Sequence, residues 1–211
     1  MPRLQFQLEA VAAGSRARAA TFRTLHGTIE TPLFMPVGTQ ATVRTQTVET
    51  LEAAGSRMLL ANTYHLLRQP GPEVFRRMGG IHKLMTWSGS VLTDSGGFQI
   101  FSLSHTLNMT EKGALFKRHP DEAQLLLTPE LSIDMQKAIG SDVMMVLDEC
   151  VPATVDRSIA EAAMHRTHRW ALRSLQARGD SPQALFAIVQ GACFSDLRHQ
   201  SAAVLTDLPF D

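Results

Sequence analysis

The sequence predicts an α/β protein in which strands and helices alternate along the chain. Short apolar runs are followed repeatedly by segments with a helical period, which is the pattern of βαβ units. The 211 residues, 44% of them hydrophobic, suffice for one sizeable core. About five such units can be counted, whereas a closed barrel has eight units and roughly 250 residues. The predicted fold is therefore an incomplete TIM (β/α)8 barrel. A doubly wound open sheet, which tolerates fewer strands, is the alternative.

The first 32 residues do not follow this alternation. Three apolar residues there alternate with polar ones, and Gly14-Ser15 would then turn the chain back into a second strand. The alternating residues are Leu4, Phe6 and Leu8. The pattern predicts an N-terminal β-hairpin segment over residues 1–32, ahead of a partial barrel over residues 33–211.

The βα units follow in order. Strands are predicted over residues 33–37, 57–63, 90–93, 143–147 and 185–189. Helices are predicted over residues 47–54, 72–78, 129–139, 158–177 and 196–205. Thr128 as N-cap and Pro129 at the first helical position begin the third helix, and Gly140 ends it. Ser158 and Glu161 form a predicted capping box at the start of the next helix.

Residues 102–127 are too long for a minimal connection between a strand and the next helix. The pairs Lys112-Gly113 and Lys117-Arg118 predict an exposed hairpin inserted after the third strand. Residues 208–211 look like the approach to a further strand.

Composition narrows the classes of function. Lys+Arg and Asp+Glu both number 20, so the formal net charge is +0 and no basic excess indicates a nucleic-acid binder. Cys150 and Cys193 form neither a CxxC pair nor a zinc-ligand spacing, which favours a cytoplasmic protein. The sequence has no apolar run of about 18 residues, so no membrane-spanning helix is expected.

Polar clusters stand where four of the predicted strands end. Residues at the carboxyl ends of parallel strands meet at one edge of the sheet, where ligands bind in α/β folds. The clusters are Asn62, Asp94-Ser95-Gly96-Gly97-Phe98-Gln99, Asp148-Glu149-Cys150 and Gln190-Gly191. The sequence therefore predicts a small-ligand pocket at this edge.

The segment from Asp94 to Gln99 has the richest chemistry. Its two glycines allow backbone N–H groups to approach a ligand closely. Asp94 offers a general base or a cation ligand, and Phe98 offers a flat face for a heterocycle. The segment is not a phosphate-binding P-loop, because the Gly-Lys-Ser/Thr ending is missing. A tight turn with a capping aspartate is the alternative interpretation.

Asp148 and Gln190 together indicate a site for the edge of a purine. Asp148 follows a buried apolar run, where a carboxylate is unfavourable unless it is paired or hydrogen-bonded. Its oxygens would accept from a ring N–H and an exocyclic amine, while the Gln190 amide would donate to a carbonyl. Guanine presents that pattern on its Watson–Crick edge. A salt-bridged aspartate at the rim of a barrel is the alternative.

Other reactive residues favour structural roles. Cys150 has no histidine partner placed by the sequence, so a packed thiol is favoured over a nucleophile. His165, Arg169 and Arg173 share a helix face that would contact solvent or, as the alternative, phosphate. The eight histidines show no metal-binding spacing with a third ligand, so no metal site is predicted.

Taken together, the motifs resemble those of the tRNA-guanine transglycosylase family. The matching strings, in order along nearly the whole chain, are TPLFMPVGTQATV, ANTYHLL, TDSGGFQIFSL, LTPELSIDMQKAIGSD, LDEC and IVQG. The resemblance implies a TIM-barrel enzyme of queuosine synthesis. Such an enzyme exchanges guanine at the wobble position of the tRNA anticodon loop for a 7-deazaguanine, preQ1 in bacteria or queuine in eukaryotes. In the family's double displacement, an aspartate attacks the ribose of a base taken out of its stack.

The resemblance assigns a role to each candidate residue. Asp94 matches the family's proton acceptor for the incoming base, and Asn62 and Gln99 match polar neighbours that orient it. The positions that match the base pocket are Ser95, Gly96, Gly97, Phe98, Asp148 and Gln190. Within that pocket Phe98 would stack on the base. Cys150 is typical of bacterial members and favours preQ1.

Some features of the family have no match in this sequence. The attacking aspartate, the last barrel units and the zinc-binding subdomain lie further along in the family, so neither a nucleophile nor zinc is expected within residues 1–211. Ala192 stands where the family usually has a second glycine, and Val151 stands where threonine is common. Both bear on substrate preference.

The sequence therefore predicts a transglycosylase that is truncated and inactive alone. One alternative is a non-catalytic paralogue or partner subunit that binds RNA or the enzyme. A second is an unrelated barrel enzyme for a purine-like substrate. The presence of Asp94 and Gln190 favours the first interpretation. A homodimer is left open.

Overall fold

The computed structural model describes residues 3–102, 107–116 and 124–211. The chain begins with a three-stranded antiparallel sheet of β1 (Gln5–Val11), β2 (Arg18–Thr24) and β3 (Gly27–Thr31), in that order. It contains the predicted hairpin of β1 and β2. The prediction lacks β3 because this strand of five residues has one apolar side chain, Ile29. The division of the chain into domains at residue 32 stays a prediction.

The other elements alternate between helix and strand, apart from one group of three helices and one group of three strands. In chain order they are α1 (Val48–Ala53), β4 (Met58–Ala61), α2 (Thr63–Arg68), α3 (Pro72–Met78), α4 (Ile81–Met85), β5 (Ser90–Thr93), α5 (Gly97–Ser102), β6 (Leu107–Met109), β7 (Ala114–Phe116), β8 (Leu125–Leu127), α6 (Pro129–Ile139), β9 (Val143–Met145), α7 (Arg157–Arg178), β10 (Ala184–Phe186) and α8 (Ser195–Thr206).

Four strands form a parallel sheet in the order β10-β9-β5-β4. Each strand lies beside the one that precedes it in this sheet, and within the described residues the order never reverses. A doubly wound sheet contains such a reversal, so this order does not support the alternative fold. The predicted strand over residues 33–37 is reduced to a single parallel bridge between Val37 and Leu60. The fold is therefore mixed α/β around a parallel sheet.

The helices follow the same order as the strands. α3 packs against α6, α6 against α7, and α7 against α8. On one face of the sheet, Met144 and Leu185 pack with Ile133 of α6 and other helix residues. On the other face, Met58, Val143 and Ala184 pack with Ile29 of the N-terminal sheet. Because both faces are covered, β9 is apolar throughout instead of alternating with polar residues.

Local signals set several helix ends as predicted. α3 has the predicted bounds, and the left-handed Gly79 follows it. The Thr128 side chain accepts a hydrogen bond from the Leu131 N–H at 3.1 Å and so begins α6, which the left-handed Gly140 ends. Within the described residues, no helix combines the length and apolar character that crossing a bilayer needs.

The predicted capping box at the start of α7 is wrong. The helix begins two residues earlier than that motif requires, at Arg157, so Ser158 lies inside it. Asp156 is the N-cap, and its carbonyl accepts hydrogen bonds from the N–H groups of Ile159 and Ala160. These bonds start the helical ladder before Ser158, which leaves the Ser158 hydroxyl no capping position.

β6, β7 and β8 form a separate antiparallel sheet where a hairpin was predicted. Lys112 and Gly113 lie in the turn between β6 and β7, whereas Lys117 and Arg118 lie outside the described residues. Arg169 and Arg173 attach this sheet to α7. Arg169 forms two hydrogen bonds to the Glu111 carboxylate at 2.7 and 2.9 Å, and Arg173 donates to the Glu111 carbonyl at 2.9 Å. The face of α7 that was predicted to contact solvent or phosphate therefore also holds the inserted sheet.

Candidate active site

Asp94 follows β5, and its carboxylate accepts hydrogen bonds from Asn62, Thr63, Gln99 and the backbone of Gly96. Its Oδ1 accepts from the Thr63 N–H at 2.7 Å, and its Oδ2 accepts from Asn62 Nδ2 at 2.5 Å and Gln99 Nε2 at 3.0 Å. Asn62 and Gln99 are the two predicted neighbours. The Thr63 bond also explains why β4 ends at Ala61 and not at the predicted residue 63, because this N–H is withdrawn from the strand ladder.

The surroundings of Asp94 make its carboxylate more basic than usual. Burial raises its pKa, and the hydrogen bonds from Asn62, Thr63 and Gln99 offset that rise only in part. A carboxylate with a raised pKa is a stronger proton acceptor. The geometry therefore suits Asp94 to general-base chemistry.

Asp148 and Gln190 are in direct contact at the ends of the next two strands. Gln190 Nε2 donates to Asp148 Oδ2 at 2.7 Å, and the Ser95 hydroxyl lies 3.3 Å from Asp148 Oδ1. Burial raises the pKa of Asp148 to about 6, and the charge of Asp94 adds to this rise while Gln190 and Ser95 oppose it. Ser95 thus joins the β5 cluster to the Asp148–Gln190 pair. Asn62 joins through Asp94, so the four predicted clusters meet.

The two glycines allow the turn after β5 to approach Asp148. A Cβ on Gly97 would lie 2.1 Å from Asp148 Oδ1, closer than any side chain tolerates. Gly96 has a φ of 88°, in the left-handed region that favours glycine. The Gly97 N–H donates to the Ser95 hydroxyl at 3.0 Å. The turn therefore requires glycine at position 97 because of its close contact with the carboxylate, and at position 96 because of its left-handed backbone.

We expect Gly97→Ala to destabilise the protein by about 1–3 kcal/mol, because the new methyl group must displace the Asp148 carboxylate or the turn. The matched control is Gly38→Ala, since a Cβ there would meet its nearest atom at an ordinary 3.6 Å. Urea denaturation of both variants measures the difference. Equal stability of the two variants would show that the close approach of Gly97 to Asp148 is not constrained.

The remaining predicted residues lie around this cluster. Phe98 is 62% exposed at the start of α5, so its ring faces the solvent side of the site. Cys150 is half-buried, and burial together with the Asp148 charge raises the pKa of its thiol, as suits a packed and unreactive cysteine. Gly191 and Ala192, which follow Gln190, both have positive φ angles, 122° and 47°.

Several residues that support the site were not identified from the sequence. The Ser132 hydroxyl donates to the Ser95 carbonyl at 2.7 Å, and the Gln190 N–H donates to the Ser201 hydroxyl at 3.1 Å. Both serines are fully buried in helices. A polar residue on an otherwise apolar helix face is the sequence signal that could have found them.

Among the described residues, one group of side chains could hold a metal ion, formed by His26, His82 and Asp142. It lies at the opposite end of the strands from Asp148, since Asp142 precedes β9. The two imidazole rings are stacked, with centroids 3.6 Å apart and planes at 16°. A histidine binds a metal in its ring plane, so two stacked rings cannot both coordinate one ion. This geometry favours a hydrogen-bonded cluster around the carboxylate.

Comparison with known proteins agrees with the family resemblance of the sequence motifs. The family described as Queuine tRNA-ribosyltransferase matches residues 13–211. A queuine tRNA-ribosyltransferase of Pelotomaculum thermopropionicum is 50% identical over 194 residues, which cover 92% of this chain and 52% of that protein. One from Synechococcus elongatus is 49% identical over 205 residues, covering 97% and 53%. One from Staphylococcus aureus is 45% identical over 211 residues, covering 100% and 56%. The chain spans about half the length of the curated relatives it matches.

Proposed function

The chain belongs to the queuine tRNA-ribosyltransferase family, and on this premise we propose that it carries the base-binding site of a tRNA-guanine transglycosylase. That enzyme exchanges wobble guanine in the tRNA anticodon loop for a 7-deazaguanine in queuosine synthesis. One observation carries the proposal: Asp94, Ser95, Asp148 and Gln190 converge on one edge of the parallel sheet through the contacts described above.

The Asp148–Gln190 pair suits the edge of guanine. Asp148 is largely ionised at neutral pH, because its pKa is about 6, and an ionised carboxylate can accept from both the ring N–H and the exocyclic amine. Gln190 Nε2 carries two hydrogens, and Asp148 takes one of them. The second hydrogen is available for the guanine carbonyl. In this proposal Gln190 holds the carboxylate and contacts the base at the same time.

Asp94 and Phe98 have different roles in the proposed reaction. Asp94 takes the proton from the incoming base, which then attacks the ribose anomeric carbon. The exposed Phe98 ring stacks on the base after the base leaves the anticodon loop. The first displacement, in which a carboxylate expels guanine from the ribose, is assigned to neither Asp94 nor Asp148, because hydrogen bonds already engage both. An aspartate outside the matched motifs would make that attack.

The finer fold assignment is also part of the proposal. We propose that the parallel sheet is a segment of a TIM barrel, since strands and helices progress in one direction without reversal in the described part of the chain. The half-buried Cys150 supports preQ1 as the incoming base. The proposed compartment is the cytoplasm, and a homodimer stays a prediction.

Guanine binding by the chain tests the proposal directly. Isothermal titration calorimetry with guanine should give a binding isotherm, whereas adenine, with its donor and acceptor groups reversed, should give none. Incorporation of labelled guanine into tRNA tests exchange in parallel. Binding without exchange would support the base site and keep a non-catalytic role open for the chain. The proposal would be overturned if the chain bound guanine and adenine equally, or if it bound neither base.

We expect the affinity for guanine to weaken as the pH falls below about 6, because protonated Asp148 can no longer accept two hydrogen bonds. The loss approaches tenfold per pH unit below that pKa. Titrations between pH 5 and pH 8 measure the profile. Asp94→Asn serves as the control. It removes a charge that raises the pKa of Asp148, so the fall in guanine affinity should remain but should begin at a slightly lower pH. A flat profile in the unmodified protein would contradict the role of Asp148.

A further inference from the structure

Gln136 is a fully buried glutamine of α6 whose side-chain amide has four hydrogen-bond partners. Its Oε1 accepts from the Met145 N–H at 2.8 Å and from the Thr93 hydroxyl at 2.9 Å. Its Nε2 donates to the Met145 carbonyl at 2.9 Å and to the Ser132 hydroxyl at 3.1 Å. Both donors and both acceptor positions of the amide are therefore used. Rotating the amide by 180° would set its N–H against the Met145 N–H and its oxygen against the Met145 carbonyl, so these two bonds fix its orientation.

These bonds place the Gln136 amide between two strands. Successive peptide groups of a strand point to opposite sides. The Val146 N–H donates to the Phe186 carbonyl, so the peptide groups of Met145 face away from β10 and towards β5. β5 and β9 pair at one position, Leu92 with Val143. Beyond it, the Gln136 amide takes the place of the β5 backbone as the partner of Met145.

The strands carry the proposed base-binding residues just beyond this point. β5 leads into Asp94 and Ser95, and β9 leads through Val146 and Leu147 to Asp148. An amide group inserted between the strands keeps their ends further apart than a direct ladder would. Gln136 also bonds to the Ser132 hydroxyl, which donates to the Ser95 carbonyl. One side chain thus holds both sides of the site.

We propose that Gln136 is a positioning residue that sets the separation and orientation of Ser95 and Asp148, and thereby the width of the slot that receives the purine edge. This inference rests on the proposed function, because the slot has a purpose only if a base enters it. Gln136 itself does not contact the base. It acts through the backbone of Met145 and through Ser132.

Gln136→Met tests this role because methionine has a similar length and volume but cannot form the four bonds. The matched control is Gln183→Met. Gln183 is also a buried amide, and its Nε2 donates to the carbonyls of Ser141 and Gln136, but it precedes β10 at the end of the strands away from the site. Both variants lose a buried hydrogen-bond network. Only Gln136→Met should change the geometry of the base-binding site.

Two measurements distinguish the variants. Carbon-13 NMR of the side-chain carboxyls reports the pKa of Asp148, and calorimetry reports guanine affinity. In Gln136→Met, we expect that pKa to fall by about one unit towards its ordinary value as the strand end relaxes into solvent. We also expect guanine affinity to weaken about tenfold. In Gln183→Met, both quantities should match the unmodified protein. If Gln136→Met does not fold, Gln136→Asn replaces it in the same comparison, because it keeps a neutral amide on a side chain one carbon shorter than the four bonds require.

The outcomes separate the two proposals. If the unmodified protein does not bind guanine but Gln136→Met still shifts the pKa of Asp148, the proposed function fails and the positioning role stands. If a folded Gln136 variant leaves both the pKa and the affinity unchanged, the positioning role is overturned. Equal shifts in the Gln136 and Gln183 variants would also overturn it, because they would reflect general loosening of the fold.

Discussion

Asp148→Asn is expected to stabilise the protein at pH 8 while it weakens guanine binding. The folded-state pKa of Asp148 is about 6, compared with an ordinary value of 3.8, so folding disfavours the charged carboxylate. The contribution of Asp148 to stability is therefore most favourable below pH 3.8 and falls as the pH rises through 6. Two pKa units correspond to about 3 kcal/mol, which is an upper limit for the gain from removing this charge. Asparagine keeps the shape and can still accept from Gln190.

The gain in stability from Asp148→Asn should depend on pH, which distinguishes it from a general packing effect. Urea denaturation at pH 8 should show the Asp148→Asn variant to be more stable, and the same measurement at pH 4 should show little difference. Guanine affinity at pH 8 should fall about 100-fold, because an amide cannot accept two hydrogen bonds as a carboxylate can. A residue that destabilises the fold yet is needed for binding is the pattern expected of a functional group. Equal or lower stability of the variant at pH 8 would contradict the burial argument.

The parts of the fold that follow from nearby residues were predictable. α3 and α6 have their predicted bounds because the signals, a proline at the first turn and a left-handed glycine after the last, lie within or next to each helix. β4 ends earlier than predicted because Asp94, 31 positions away, takes the Thr63 N–H. The capping box failed for a local reason, since Asp156 competes for the same role. Sequence patterns therefore predict elements more reliably than their ends.

The site could be predicted in part for a related reason. Asp94, Asp148 and Gln190 each follow an apolar strand, and parallel strands bring their carboxyl ends together, so topology alone predicts that they lie close. Gln136 was not predicted, because its role depends on β5 and β9 separating after one pair, which no pattern in either strand reveals. Thr93 of β5 and Met145 of β9, which contact Gln136, lie 43 and 9 positions from it in the sequence. Positioning residues of this kind become visible only when the strand register is known.

The cluster of His26, His82 and Asp142, at the other end of the strands, shows how a buried carboxylate can be structural. Asp142 is fully enclosed, and its Oδ1 accepts from both the backbone N–H and Nδ1 of His26 at 2.9 Å. Its Oδ2 accepts from the Val91 N–H at 2.8 Å and lies 3.2 Å from His82 Nε2. Burial would raise the pKa of Asp142, but the contacts with His82, Val91 and His26 outweigh it and lower that pKa. This is the opposite of Asp148, whose few donors leave burial dominant.

We therefore expect Asp142→Ala to destabilise the protein by about 3–5 kcal/mol at neutral pH, because it leaves several buried donors without an acceptor and detaches the turn before β3 from β5. The exposed Asp134→Ala, on α6, is the control and should change stability by less than about 0.5 kcal/mol. Because the pKa of Asp142 is lowered, its contribution is present above pH 3.8 and is lost as the pH falls further, so the two variants should converge in strong acid. Denaturant titrations at pH 7 and pH 3 measure this. A small loss at pH 7 would mean that water or rearranged histidines satisfy these donors, and that the cluster does not hold the N-terminal sheet to the parallel sheet.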